Sequence, residues 1–416
     1  MNITWNNIRT QNFDSIPIQE EWNLPEIKEN RMHSIHAYPA KFPAFITTKA
    51  IEKAEEQNIH IQTVADIFCG CGTVAFETVS SGRRFWGWDI NPVATLIADV
   101  KSHVYDDKRL QNYYEQIQEA YKIAVPDRNN PICSNERIQH WFDSQHIDDL
   151  WRLYSSIIST VSDEKYKRFF LCAFSNILKP CSRWLTKSIK PQIDPKKNPK
   201  DVLVAFDGQV NMMRKANRSN VGKQYGKANI KTANLLNYNI THSFVDLVVT
   251  SPPYVTSYEY ADLHQLSTLW LGYTDDFKSF RQGTIGSLYH ANDYEQNLQH
   301  LNETGRDIVT QLEGQEWSKI KSVAQYYVDM QSAVRQVSKM LKPNGACVFV
   351  IGNTEYKGVK IDNAKHLTEC LLREDFCNVN VDRRKISNKI LTPYRTKDGK
   401  FSKDEGKSRK IYIQSC

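Results

Sequence analysis

Within Thr250-Ser251-Pro252-Pro253-Tyr254, three kinds of group fall close enough together to act on one flat polar molecule. Two successive prolines exclude helix and hold the backbone rigid. Their nitrogens carry no hydrogen, so neighbouring carbonyls are left to accept hydrogen bonds from a ligand. Ser251 adds a hydroxyl and Tyr254 a stacking face. A rigid acceptor beside a stacking ring suits a planar base with an exocyclic amino group. A bare Pro-Pro-Tyr is more often a turn with a core tyrosine, so the reading depends on the residues before it.

Those residues are Phe244–Val249, apolar and rich in β-branched side chains, which read as a short buried strand. In an open α/β sheet, ligands bind just past the carboxyl ends of the strands. A similar arrangement stands upstream. Val64-Ala65-Asp66-Ile67-Phe68-Cys69-Gly70-Cys71-Gly72-Thr73 runs from a strand through a loop with two glycines, and a helix is predicted from Val74 to Ser80. Glycines let the backbone approach a ligand closely, and the helix N-terminus favours negative or carbonyl-rich groups. A second strand, Phe85–Trp88, ends in Asp89, 17 residues after Gly72 and placed to hold ribose hydroxyls. The tight Asn91-Pro92 step continues into a helix over Val93–Val100. A lone Gly-x-Gly is weak, but with the acid at this spacing it favours a nucleoside-type cofactor over a purely structural unit. Cys69 and Cys71 have no further ligands at metal spacing and read as packing residues.

With 416 residues the chain can bury a sizeable core, as one large domain with insertions or as two domains. Hydrophobic content of 40% and charged content of 24% are ordinary for a soluble globular protein. The N-terminus lacks the basic and apolar regions of a signal peptide, and no run approaches the roughly 18 apolar residues of a membrane span. Nine cysteines, an odd number with no C-x-x-C pair, suit reduced thiols better than a disulfide framework or structural zinc. A cytoplasmic protein with no membrane partner is expected. The net charge of +7 is unevenly spread. Residues 183–231 hold 12 Lys and Arg against 3 Asp, and 383–410 hold 11 against 3 acids, so the remainder is acidic. Two concentrated basic stretches suggest a polyanion footprint, with solvated loops as the plain alternative.

Three regions are expected: 1–101, a lead-in and cofactor-binding half; 102–229, a helical and basic insertion; and 230–416, a catalytic half with a second insertion at 275–322 and a basic tail. Residues 1–30 are polar and read as an extended lead-in, with Trp5 or Trp22 available for target contacts. His33 and His36 lack partners at ligand spacing, so a packed loop is favoured over a metal. Pro39 and Pro43 flank Lys41-Phe42, a fixed loop whose ring could cover a ligand before a helix over Ala44–Gln57. Apolar spacing predicts helices over Tyr113–Ile123, Ile147–Ile158 and Lys165–Leu178, with Trp141, Phe142, Trp151, Phe169 and Phe170 as core. Asp201–Met213 reads as a helix and Lys215–Lys223 as a mobile basic loop suited to phosphate. Ile230–Leu236 reads as a third strand that would bring Asn234 toward the cofactor's base. A helix over Tyr258–Leu271 stops at Gly272, and Val323–Leu341 is an amphipathic helix ended by the Lys342–Gly345 turn. The strand Ala346–Gly352, a helix over 363–373 and a strand over 377–382 complete a mainly parallel, doubly wound α/β sheet.

Taken together, these residues resemble the S-adenosylmethionine-dependent DNA amino-methyltransferases, the cytosine-N4 and adenine-N6 enzymes of restriction-modification type. The Asp66–Thr73 loop is similar to their cofactor motif, Asp89 to the ribose-binding acid, and Ser251-Pro252-Pro253-Tyr254 to their catalytic motif. Ala40-Lys41-Phe42-Pro43 is similar to the element that closes over the methionine end, and Leu341–Gly345 to the turn before the fifth strand. The likeness covers about 32–100 and 230–383 and leaves the helical block unexplained. It implies a Rossmann-like methyltransferase sheet with an inserted helical region, S-adenosyl-L-methionine as cofactor, and double-stranded DNA as partner, with a cognate restriction endonuclease alongside. Lys41, Phe42, Asp66, Phe68, Gly70, Gly72, Thr73, Asp89 and Asn91 would form the cofactor site, and Ser251, Pro252, Pro253 and Tyr254 the catalytic site; no metal is implied. Ser at the head of the motif is mostly a cytosine-N4 feature, whereas Asp or Asn is typical of adenine-N6 enzymes. Adenine N6, an RNA amine, and a binding module without catalysis stay open as alternatives.

Overall fold

The computed structural model describes residues 1–23, 28–38, 41–186, 188, 191–255, 260–287, 294–385, 394–395, 401–402 and 409–410. Its centre is a five-stranded, wholly parallel sheet: Thr63–Asp66 (β1), Arg84–Asp89 (β2), Ala228–Thr232 (β3), Val245–Thr250 (β4) and Leu341–Phe349 (β5), in the order β3-β2-β1-β4-β5. All six residues of β4 and all four of β1 are buried, as strands covered on both faces must be. Val64 pairs with Leu247 and Ala65 with Val248, so the carboxyl ends of β1 and β4 emerge side by side. Strand order reverses there, which is where such sheets hold their ligands.

One face carries Ala44–Glu56 (α1), Thr73–Ser80 (α2) and Pro92–Lys101 (α3). Val64, Phe85, Leu247 and Val249 pack there against Ile51, Val74, Val79 and Ala98. Each of the Val, Leu, Ile and Phe side chains contributes about 1.5–3 kcal/mol relative to exposure. The outer side of α3 continues without a break into Asp107–Ile123 (α4), Ser144–Thr160 (α5), Glu164–Ile177 (α6) and Val202–Arg218 (α7), because Val93, Leu96, Ile97 and Val100 share one core with Leu110, Leu150, Phe170 and Phe206. Trp141, Phe142, Phe169 and Phe170 are buried in it, and Trp151 packs at its margin. The opposite face is covered by Trp317–Met340 (α8), whose Ala333, Val337 and Met340 meet Ala65, Trp88 and Val248. Asn363–Arg373 (α9) packs against α8 in a further core with Ile308, Val309 and Leu312.

Several expected boundaries move. The basic loop at 215–223 is in part helix, since α7 runs on to Arg218; Arg214 and Arg218 both bind Asp107 and so hold α7 to α4. The third strand ends at Thr232 and gives way to a turn of 3-10 helix at Leu235–Asn237. The fifth begins at Leu341, with Asn344 at φ 62° inside a register shift, and ends at Phe349 rather than Gly352. The lead-in is not simply extended: Ile3, Ile8, Phe13 and Ile16 are buried with Leu372 and Val379. The 377–382 strand contracts to Val379–Asn380 and pairs antiparallel with Asn2–Ile3, outside the main sheet. Pro39, Ala40, the start of the helix expected from Tyr258 and most of the basic tail lie outside the described residues. No described helix is long and apolar enough to cross a membrane.

Candidate active site

Strand β1 delivers Asp66 to the carboxyl edge of the sheet, where its Oδ1 accepts from the Phe68 N–H at 3.0 Å and from the Thr250 hydroxyl at 2.6 Å. Burial pushes this carboxyl up to about 7 against the opposing pull of those two donors. The chain then turns through Gly70, at φ 48°, and Gly72, at φ 75°, which opens α2. The two glycines serve different ends. A β-carbon on Gly72 would lie 2.6 Å from Cα and Cβ of Ala98, so this glycine lets α3 pack against the loop. At Gly70 a β-carbon would make ordinary contacts, with the Tyr38 hydroxyl at 3.6 Å, its ring at 3.8 Å and the Phe68 carbonyl at 3.9 Å, leaving the backbone approachable. Thr73 is buried at the start of α2, and Phe68 packs between the α8 side of the sheet and the α9 core.

Asp89 stands beside that loop at the end of β2. Its Oδ2 accepts from Gly70 N–H and its Oδ1 from Asn91 N–H, both at 2.8 Å. Desolvation raises its carboxyl to about 6, with those two N–H groups opposing the rise. A carboxylate oxygen accepts twice, so each keeps one acceptor direction, the number needed for the two hydroxyls of a ribose. These acceptors therefore fit a nucleoside cofactor. Asn91 caps α3, accepting from Val93 and Ala94 N–H, with Pro92 at the first helical position. Lys41 donates to the His33 carbonyl, and Phe42 packs at the margin of the core formed by α1 and the sheet. His33 pairs with Glu77 and His36 with Ser175, so the two histidines point to separate partners. Asn234 donates to the Gly283 carbonyl.

Past Thr250, Ser251 Oγ donates to the Val350 carbonyl at 3.0 Å, while Val350 N–H donates to the Thr250 carbonyl at 2.9 Å. These bonds extend the β4–β5 ladder into the Pro-Pro turn. Pro252 is buried, whereas Ser251, Pro253 and Tyr254 are half-buried. The two motifs thus meet at one edge of the sheet and are bonded together through Thr250 and Asp66.

The DNA methylase family model N6/N4 matches residues 4–99, the stretch that carries the glycine loop and Asp89. Over 395 residues the chain is 26% identical to the type II methyltransferase M.MvaI of Kocuria varians, covering 86% of this chain and 85% of that one. That alignment spans both motifs. The chain is thus similar to N6/N4 DNA methylases over its cofactor-loop region and to a type II methyltransferase over most of its length. Among solved structures, an rRNA methyltransferase, aviRa of Streptomyces viridochromogenes, matches with 13% identity and a TM-score of 0.26, over 56% of this chain and 71% of that one.

Two residues at this candidate site escape sequence reasoning. Tyr38 lies against Gly70, and the ring of His264 stacks on Tyr38 with centroids 5.0 Å apart and planes 24° from parallel. Nothing in the spacing of His264 marks it, since it reads as one more position of a helix. Part of the first basic stretch is also committed internally: Lys197 donates to the carbonyls of Lys179 and Trp184, and Arg214 and Arg218 serve Asp107.

Proposed function

We propose that this protein transfers a methyl group from S-adenosyl-L-methionine to the N4 amine of cytosine in a short duplex DNA sequence. The observation that carries the reading is the seating of Ser251. Its hydrogen is committed to the Val350 carbonyl, so its oxygen meets a ligand as an acceptor. An exocyclic amine is a donor whose lone pair is delocalised into the ring. Bonds from its two hydrogens to Ser251 Oγ and the Pro252 carbonyl would enrich the nitrogen and aim it at the methyl group. Tyr254 would stack on the base, which must leave the duplex to reach a turn at the sheet edge. Ser in place of Asp or Asn at the head of the motif favours cytosine over adenine.

On the cofactor side, Asp89 would take the ribose hydroxyls, Gly70 would admit the backbone contact, and Asp66, Phe68, Gly72, Thr73 and Asn91 would shape the pocket, with Lys41 and Phe42 over the methionine end. When bound there, S-adenosylmethionine supplies an electrophilic sulfonium methyl group. The helical block and the basic stretches would grip DNA. A restriction endonuclease of the same specificity is the expected cellular partner, as the type II relative suggests.

The test supplies labelled S-adenosylmethionine and unmethylated bacterial DNA, followed by nucleoside mass spectrometry. N4-methylcytosine is the expected product. N6-methyladenine would keep the site and change the base, and absence of label from the DNA would overturn the DNA reading.

A further inference from the structure

Five residues close a ring around the cofactor loop. Gly70 N–H donates to Asp89, and Asp89 accepts from Asn91 N–H on its other oxygen. The Asn91 side chain meets His264 Nδ1 at 2.9 Å, the imidazole stacks on Tyr38, and the Tyr38 hydroxyl stands 3.6 Å from where a Gly70 β-carbon would lie. The direction of the Asn91–His264 bond is set by its neighbours. Asn91 Oδ1 already accepts from Val93 and Ala94 N–H, so the amide cannot be turned round and Nδ2 faces the ring. An amide nitrogen only donates, hence His264 Nδ1 carries no hydrogen and accepts.

His264 is buried at the joint between two short helices, Tyr260–Leu263 and Gln265–Trp270. The second of these helices is fastened to the helical block. Gln265 Oε1 accepts from Arg137 Nε at 2.6 Å and from Trp141 Nε1 at 3.1 Å. Ser175 Oγ donates to Ser267 Oγ at 2.8 Å and lies 3.0 Å from His36 Nε2. One imidazole therefore touches the ribose-side cap, the aromatic cover of the glycine loop, and the first residue of a helix bolted to the helical block.

We propose that His264 is a positioning residue that couples occupancy of the cofactor loop to the placement of helix Gln265–Trp270, and through it to the helical block. The inference rests on the proposed cofactor site. A ligand seated on Gly70 and Asp89 stiffens two members of the ring, and the stack and the Asn91 bond pass that restraint to the helix.

Hydrogen–deuterium exchange with S-adenosylhomocysteine as probe tests this. In the native protein the probe should slow exchange in peptides covering both 68–73 and 264–271. In His264→Ala, protection should persist at 68–73 and vanish at 264–271. His264→Gln offers an amide oxygen to Asn91 and should restore part of it. Tyr38→Leu, which removes the stack without touching the helix, should behave as His264→Ala does and serves if that variant fails to fold. Native protein protected only at 68–73, or His264→Ala and Tyr38→Leu both protected at 264–271, would overturn the coupling. Absence of protection at 68–73 in the native protein would overturn the cofactor reading and the coupling with it.

Discussion

The Thr250 hydroxyl donates to Asp66 Oδ1 across 2.6 Å, joining the last residue of β4 to the last residue of β1. One hydrogen bond thus spans the two motifs that the proposed reaction must bring together. Replacing Thr250 with Val keeps the shape and strips the donor from a buried carboxyl. Chemical denaturation should register a loss of about 1–3 kcal/mol, and S-adenosylmethionine affinity should fall with it. An unchanged midpoint and affinity would show that the bond neither stabilises β1 against β4 nor sets the loop.

Acid should separate stability from cofactor affinity. Asp66 and Asp89 have folded values near 7 and 6, above the roughly 3.9 of an unfolded Asp. Between about pH 4 and those values the native chain binds more protons than the unfolded one, so these groups make the ligand-free protein lose stability as pH rises through that window. Cofactor binding should run the opposite way, because ribose hydroxyls are held best by an ionised Asp89. Calorimetric affinity for S-adenosylmethionine should decline as pH falls below about 6, and Asp89→Asn should be weak at every pH. A native profile flat from pH 8 to 5 would move the ribose contact elsewhere.

Chemistry and cofactor binding should also come apart under mutation. Tyr254→Ala removes the stacking face, and Ser251→Ala removes the acceptor. Each should lower methyl transfer by at least about tenfold, the equivalent of one lost hydrogen bond or stack, while calorimetric cofactor affinity stays close to native. Full turnover in both variants would remove the Pro-Pro turn from the active site.

Gly72→Ala should be costly for two separable reasons. Its φ of 75° strains any side chain, by about 1–3 kcal/mol, and its β-carbon would collide with Ala98 at 2.6 Å. Gly82, at φ 81°, has nothing within 4 Å of its would-be β-carbon, so Gly82→Ala carries the strain alone. Denaturation of the two variants side by side should show Gly72→Ala as clearly the less stable. Equal losses would mean that α3 gives way freely.

What could be foreseen was what the chain writes locally. The run from Val64 to Thr73, Asp89 beyond it, and the Pro-Pro turn after Val249 each combine a strand pattern with residues of restricted conformation, and all three stand where expected. The boundaries that moved did so for tertiary reasons. Helix α7 continues to Arg218 because Arg214 and Arg218 find Asp107, more than a hundred residues away. Leu341 joins β5 because Val245 accepts it as a partner across an irregular register. His264 gains its place from Asn91 and Tyr38, which reach it from two other parts of the chain. No window of sequence contains such pairings, so periodicity and composition pass over them.

The pairing of Asn2–Ile3 with Val379–Asn380 bears on the order in which the molecule assembles. On the ribosome, Asn2 and Ile3 must wait until Val379 and Asn380 have been made before they can pair. Closing so long a loop adds little to its entropic cost per further residue but delays the contact. Ile3, Ile8, Phe13 and Ile16 remain uncovered through that interval, four apolar side chains in search of Leu372 and Val379. A chain cut short before Leu372 would therefore leave these four apolar side chains without the partners that bury them, an aggregation-prone surface.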